Sequence, residues 1–238
     1  RYQQRAGVYT AGEGGRGIAQ TETIFPKFLK PAGYVSGAFG KWHLGLTVEQ
    51  SPVGRGFDEW YGFLGRGAHD YLKLDDIEGS PMYRNGKPIK DEGYLTTRLT
   101  DETVAFIQKH KAQPFYVHLA YNAVHSPAQA PAADIARFKK QFPEITEARA
   151  ILMAMLHHLD LGVGRIGQLT VTAQGTLTPP AIAPGGAPPT PEEMALRLLQ
   201  LSRNTGRETH RGCLHRATDI TRLRIVDLHI ECDRRHCK

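Results

Sequence analysis

Aromatic residues disappear from this chain after Phe142; no Phe, Tyr or Trp occurs from Pro143 to Lys238. Lysine thins in the same region. Ten lysines and ten arginines lie in residues 1–169, whereas residues 170–238 carry nine arginines and the single Lys238. All three cysteines, Cys213, Cys232 and Cys237, lie near the C-terminal end. Aromatics supply much of the area that a core buries, so residues 170–238 lack the material of an ordinary core. The longest apolar run, Ala150 to Leu156, is far too short to span a bilayer, and no membrane association is expected. A net charge of +6, spread along 238 residues, does not mark a polyanionic partner, so nucleic acid is not expected. No internal repeat is present. The chain opens on Arg1-Tyr2 with no leader and no initiator methionine, a start that says nothing about compartment.

What is present in residues 1–169 alternates in an α/β manner. Thr23 to Leu29 reads as a short helix capped by Thr21 or Thr23, with Pro31 at its exit. Val35 to Trp42 reads as a buried strand, and Arg55 to Gly67 as a packed loop rich in glycine and aromatics. Leu95, Leu99, Val104, Phe106 and Ile107 give a helix over Leu95 to Lys111 its apolar face. Gln113-Pro114 breaks that helix, and Phe115 to Tyr121 follows as a buried strand. Thr146 to Leu169 reads as a long helix that frays at Gly162 and Gly164. Helix, strand and loop in repeated succession predict a parallel or mixed sheet flanked by helices.

Two strand ends carry candidate chemistry. If the chain stays extended from Phe39 to His43, Lys41 and His43 point the same way, a cation beside a proton-transfer group. An anionic substrate would need such a pair, although an arbitrary Lys-x-His is more often a surface pair. His125 follows the strand ending at Tyr121 and precedes Ser126-Pro127, at the edge where open α/β sheets bind ligands. His69, after a glycine-rich loop, is a weaker candidate for substrate contact. His118, inside a strand, is expected in the core; His157 and His158 are expected to be structural or solvated. Gly12 to Gly17 matches G-x-G-x-x-G without a preceding strand, so no dinucleotide site is expected.

The segment "GYVSGAFGKWHLG", residues 33–45, resembles the second signature of the sulfatase family. "ETIFPKFLKPAGY" is similar to the helix before it, "PVGRGFDEWYGFLG" to the segment after it, and "YLTTRLTDETVAFI" to the next helix. "PFYVHLAYNAVHSPAQAP" is similar to the family's next strand and histidine loop, and "HLDLGVGRI" to the helix beyond. The resemblance covers roughly residues 1–168, in order. It implies an alkaline-phosphatase-like α/β domain that hydrolyses aryl or carbohydrate sulfate esters with calcium and a formylglycine made from a C/S-x-P-S-R motif. In it Lys41 contacts sulfate oxygens, His43 holds or deprotonates a formylglycine hydroxyl, and His125 stands near the leaving oxygen. Relatives that cleave phosphate or phosphonate esters are the nearest alternative. The family suggests a periplasmic, secreted or lysosomal protein.

The resemblance also implies residues that this sequence does not contain. The nucleophile motif and first aspartate pair would precede Arg1; after the "LDLGVGRI" helix there is no Ser-Asp-Asn-Gly, and no lysine until Lys238. Asp75-Asp76 lies too late in the chain to be that pair and reads as solvated carboxylates, so no metal ligand is assigned. The expectation is therefore a partial sulfatase domain over 1–169, inactive by itself. Residues 170–238 form a separate, linker-like tail without packed structure, with the composition of a GC-rich gene read out of frame. Thr170 to Pro191 is expected as unpaired coil, and Arg203 to Lys238 to make few apolar contacts with the domain. A rival reading gives His210, Cys213, His229 and Cys232 to a zinc ion in a nucleic-acid-binding tail.

Overall fold

The computed structural model describes residues 17–65, 69–76, 81–167, 169–171, 177–178 and 224–230. A short helix α1 (Phe25–Leu29) opens it. Ile24 occupies its N-cap without a side-chain bond, so neither Thr21 nor Thr23 caps it; Pro26, whose missing N–H costs nothing there, sits in the first turn instead. A single 3₁₀ turn, Lys30–Ala32, leads into β1 (Val35–Lys41).

β1 pairs in parallel with β2 (Glu59–Phe63), inside the segment expected to be a loop. Glycines suggested irregular chain there, but they serve a close approach. Gly62 stands opposite Gly40, where a β-carbon would strike main chain. Trp60 packs on one face with Tyr34, Ala38, Trp42 and Phe57; Tyr61 and Phe63 pack on the other. Asp58 holds the pairing at its start, accepting bonds from the Ser36 N–H and hydroxyl at 2.9 Å each.

A hairpin of β3 (Met82–Arg84) and β4 (Lys87–Ile89) extends the sheet antiparallel beyond β2. Asn85 and Gly86 form its turn with φ of 51° and 83°, the left-handed pair that a two-residue hairpin needs. Helix α2 (Leu95–His110) buries Leu95, Leu99, Phe106 and Ile107, and β5 (Phe115–Tyr121) runs parallel beside β1. Helices α3 (Ala132–Gln141) and α4 (Glu147–Gly167) complete the layer on that side. The expected fraying of α4 does not occur: the helix runs through Gly162 and Gly164. No helix among the described residues is long and apolar enough to cross a membrane.

Past α4 the expectations change at three places. Thr170–Val171 (β6) and Leu177–Thr178 (β7) pair antiparallel, correcting the coil expected there. Arg224–Ile230 (β8) runs parallel to β5, giving the sheet order β4-β3-β2-β1-β5-β8, a backbone pairing where a tail without packed structure was expected. Its sequence has no aromatics, but Ile225, Val226, Leu228 and Ile230 suit a strand. His210, Cys213 and Cys232, like most of the tail, lie outside the described residues; of His229 only the backbone, opposite Ala120, is described.

Gly162 lies where α4 crosses α2 and β5. A β-carbon there would stand 2.5 Å from Thr100 Oγ1 and 2.6 Å from Tyr121 Oη, two atoms bonded to each other at 2.6 Å. Gly164 faces nothing within 4 Å. Helix propensity alone favours alanine at both sites by about 1 kcal/mol. We expect Gly164→Ala to gain up to that amount in urea unfolding, and Gly162→Ala to lose about 1–3 kcal/mol by overpacking. Stabilisation by Gly162→Ala would refute the close packing.

On the same helix, His157 packs edge-on to Phe138 of α3 at 6.0 Å. Burial, then the charges of Arg137 and His158, hold its pKa below the ordinary 6.5. The unfolded chain therefore takes up the proton first. Stability is full above pH 6.5 and falls as the pH drops from there towards the lowered folded value. His157→Gln should flatten that part of a stability–pH profile; an unchanged slope would refute it.

Candidate active site

Lys41 ends β1 at the carboxyl edge of the parallel strands and is only 7 % exposed. The pairing with β2 continues past it: the Trp42 N–H donates to Phe63 O at 3.0 Å and the His43 N–H to Leu64 O at 2.9 Å. The chain does not stay extended. Gly40 has φ of 100° and His43 φ of 56°, so strand alternation does not orient Lys41 and His43 as expected. A left-handed histidine costs about 1–2 kcal/mol, and here Trp42 helps hold it, its indole N–H donating to Gln50 O at 2.7 Å. His43 is left half-buried at the same edge as Lys41.

His125 comes to that edge from the neighbouring strand. Gly40 pairs with Ala120 of β5, Asn122 follows the strand, and the His125 N–H donates to Asn122 O at 2.8 Å to close a turn. The His125 imidazole lies 2.8 Å from Ser126 O through Nδ1. A carbonyl oxygen only accepts, so Nδ1 carries the proton and Nε2 is the nitrogen that presents a lone pair.

His69 is 1 % exposed, its ring centroid 4.8 Å from that of Phe63, the residue paired with Lys41. Its Nδ1 donates to Asp70 O at 2.6 Å, and its own carbonyl accepts the Asn122 amide at 3.3 Å. The weaker candidate of the sequence thus sits in the wall of the site. His118 lies in β5 with its ring 6.4 Å from that of Phe57, and His158 bonds Asp134 at 2.9 Å between α3 and α4. Asp75 and Asp76 are exposed loop carboxylates.

Gly65, Tyr71 and Asn122 belong to the site and were not singled out by sequence. Gly65, with φ of 84°, lies against Lys41: a β-carbon would stand 3.2 Å from its Cγ and 3.3 Å from its Cε. Tyr71 and Asn122 act on main-chain atoms of the His125 turn. Their adjacency to His69 and to the end of the β5 run was the one available signal.

A separate hollow of about 170 Å³ lies at the other end of β2, lined by Glu59, Arg84, Glu102 and Lys109 among others. Its charges are paired, Arg84 with Glu102 at 2.7 Å and Lys109 with Glu59 at 2.8 Å. Lys41 has no part in it.

A mixed sheet flanked by helices, with a buried lysine and a histidine turn at the carboxyl edge of its parallel strands, gives the α/β class, and comparison with known proteins gives the family. The Sulfatase family model matches residues 1–205, past the change in composition at Leu169. The chain belongs to the sulfatase family. It is 32 % identical over 192 residues to the uncharacterized sulfatase YdeN of Escherichia coli, covering 70 % of this chain and 33 % of that protein. It is 35 % identical over 138 residues to human N-acetylgalactosamine-6-sulfatase, covering 52 % of this chain and 26 % of the enzyme. The crystal structure of Ps i-CgsB aligns at a TM-score of 0.60 with 34 % identity, covering 69 % of this chain and 40 % of that one. The chain thus spans about a third or less of these curated relatives.

The contact between Gly65 and Lys41 can be separated from backbone strain, because Gly33 shares nearly the same φ, 79°, and faces nothing within 4 Å. Alanine at either site should cost about 1 kcal/mol through the left-handed backbone. Only Gly65→Ala should displace the Lys41 stem and raise its labelling by an amine-reactive reagent several-fold, read by peptide mass spectrometry. Equal labelling in both variants would refute the contact.

Proposed function

We propose that this chain supplies the sulfuryl-binding edge of a sulfuric ester hydrolase acting on aryl or carbohydrate sulfate esters. The observation that carries the reading is the buried Lys41 at the end of β1, one strand away from the His125 turn. A sulfuryl group in transit carries charge on its equatorial oxygens, which a fixed ammonium stabilises more than water would. The departing alcohol oxygen needs a proton, and with Nδ1 already committed to Ser126 O, His125 can deliver one from Nε2 once that nitrogen has itself taken up a proton. His43, turned out of the strand beside Lys41, is a second polar group for the same anion. A carbohydrate substrate is supported by the relatives: human N-acetylgalactosamine-6-sulfatase, and Ps i-CgsB, solved in complex with k-i-k-neocarrahexaose.

Calcium and formylglycine belong to this reading as groups of the whole enzyme. The described residues do not fit the metal: none of them form a group of three or more His, Cys, Asp or Glu able to hold an ion. All three cysteines lie outside the described residues. No step is derived through either group.

Members of a catalytic unit are non-additive, so Lys41, His43 and His125 without a nucleophile should not turn substrate over. We expect the 238-residue chain to show no hydrolysis of an aryl sulfate, with or without calcium. It should bind sulfate weakly, with affinity that falls as salt rises and is lost in Lys41→Ala. Turnover that Lys41→Ala abolishes would overturn the assignment of a partial site. Sulfate affinity equal in the two proteins would overturn the role of Lys41, and tighter binding of phosphate would favour a phosphate-ester substrate.

A further inference from the structure

We infer that Tyr71 is a positioning residue for His125. Its phenol ties the 69–76 loop to the turn that carries the histidine, and so sets where His125 Nε2 stands; the catalytic consequence rests on the function proposed above. Tyr71 is fully buried, and its hydroxyl lies 2.7 Å from Asn122 O and 3.0 Å from His125 O. One hydroxyl proton is shared by the two carbonyls at the ends of the turn that the His125 N–H closes. The phenol is itself held from several directions. The Tyr71 N–H donates to Gln129 Oε1 at 2.9 Å, and Tyr71 O accepts the Leu95 N–H at 2.9 Å from the start of α2. Its ring stacks on Tyr94 with centroids 5.8 Å apart. Gln129 also donates to Asp70 Oδ2 at 3.0 Å, and the Asn122 amide donates to His69 O at 3.3 Å. The loop and the turn are therefore joined at several points, and the hydroxyl is the part of Tyr71 that touches the histidine's own main chain.

The test compares Tyr71→Phe with Tyr94→Phe in the 238-residue chain. Tyr94 donates to Gln129 O at 3.1 Å, a bond of the same network that does not reach His125. Imidazole nitrogen NMR should show His125 of the unaltered protein as the Nδ1–H tautomer. In Tyr71→Phe we expect the same tautomer with the His125 imidazole signals displaced and broadened, and sulfate affinity weakened roughly three- to tenfold. Tyr94→Phe should lower the Tm comparably and leave the His125 signals in place. Unchanged His125 signals in Tyr71→Phe, or the same change in both variants, would overturn the inference. Should Tyr71→Phe not fold, Gln129→Ala removes the partner of the Tyr71 N–H from a half-buried side chain. It should move the His125 signals in the same direction, and no movement overturns the proposal. Failure of the unaltered protein to bind sulfate would overturn the proposed function, and the imidazole signals would still decide the role of Tyr71.

Discussion

At Gly40 the backbone of β1 comes so close to β5 that a β-carbon would collide with the carbonyl of Ala120, and at Gly62 one would collide with the carbonyl of Gly40. Three parallel strands are thus drawn together through main chain alone, one residue before Lys41. The left-handed φ at Gly40 ends regular strand geometry at that point, and the left-handed His43 then turns the chain away. Any side chain at Gly40 would spread β1 from β5 and separate Lys41 from the His125 turn. The spacing of the site is accordingly a property of glycine packing, and the charged groups are placed by it.

A buried ammonium is costly unless its surroundings compensate it. Lys41 meets that cost where main-chain geometry is least regular, between the strained His43 and the left-handed Gly65, whose missing side chain leaves a channel for the lysine stem. Backbone strain of this kind persists only where neighbours over-determine it. Here the neighbours are visible: Trp42 on Gln50, Leu46 N–H on Gln50 Oε1, and Arg55, 1 % exposed, reaching Gln20 Oε1 and Glu22 O at 2.8 Å each. The segment from residue 17 to residue 57 is a bracket around the end of β1.

How much of this the sequence disclosed depended on how much each element buries. The first strand, α2, β5 and α4 each bury several apolar residues at regular spacing, and all were legible to within a few positions. Helix α3 buries Phe138 alone, so it has almost no apolar period to read. The second strand reads as a packed loop because its glycine suggests irregular chain when it marks close approach, and β8 escapes notice because missing aromatics outweigh its β-branched residues. Asn85-Gly86 is a local hairpin signal independent of burial. Among site residues, Lys41, His43 and His125 were legible because their side chains are of the types that bind anions or transfer protons. Gly65, Tyr71 and Asn122 were not, because they act on a neighbour's main chain or by leaving space.

The site's chemistry and its geometry are accordingly encoded at different ranges. His69 and His125 each spend Nδ1 on the carbonyl of the next residue, a bond that needs no distant partner and commits Nε2 to the other side of the ring. That choice of tautomer is local. The placement of both rings is not: Tyr71 reaches Asn122 across 51 positions and Asn122 reaches His69 across 53. Such contacts form only once β5, the 69–76 loop and the start of α2 have packed. A short motif can therefore name the nitrogen left with the lone pair, while its position awaits the assembled sheet. All of these contacts lie within residues 17–167, so this part of the chain carries both the local choice and the long-range framework that aims it.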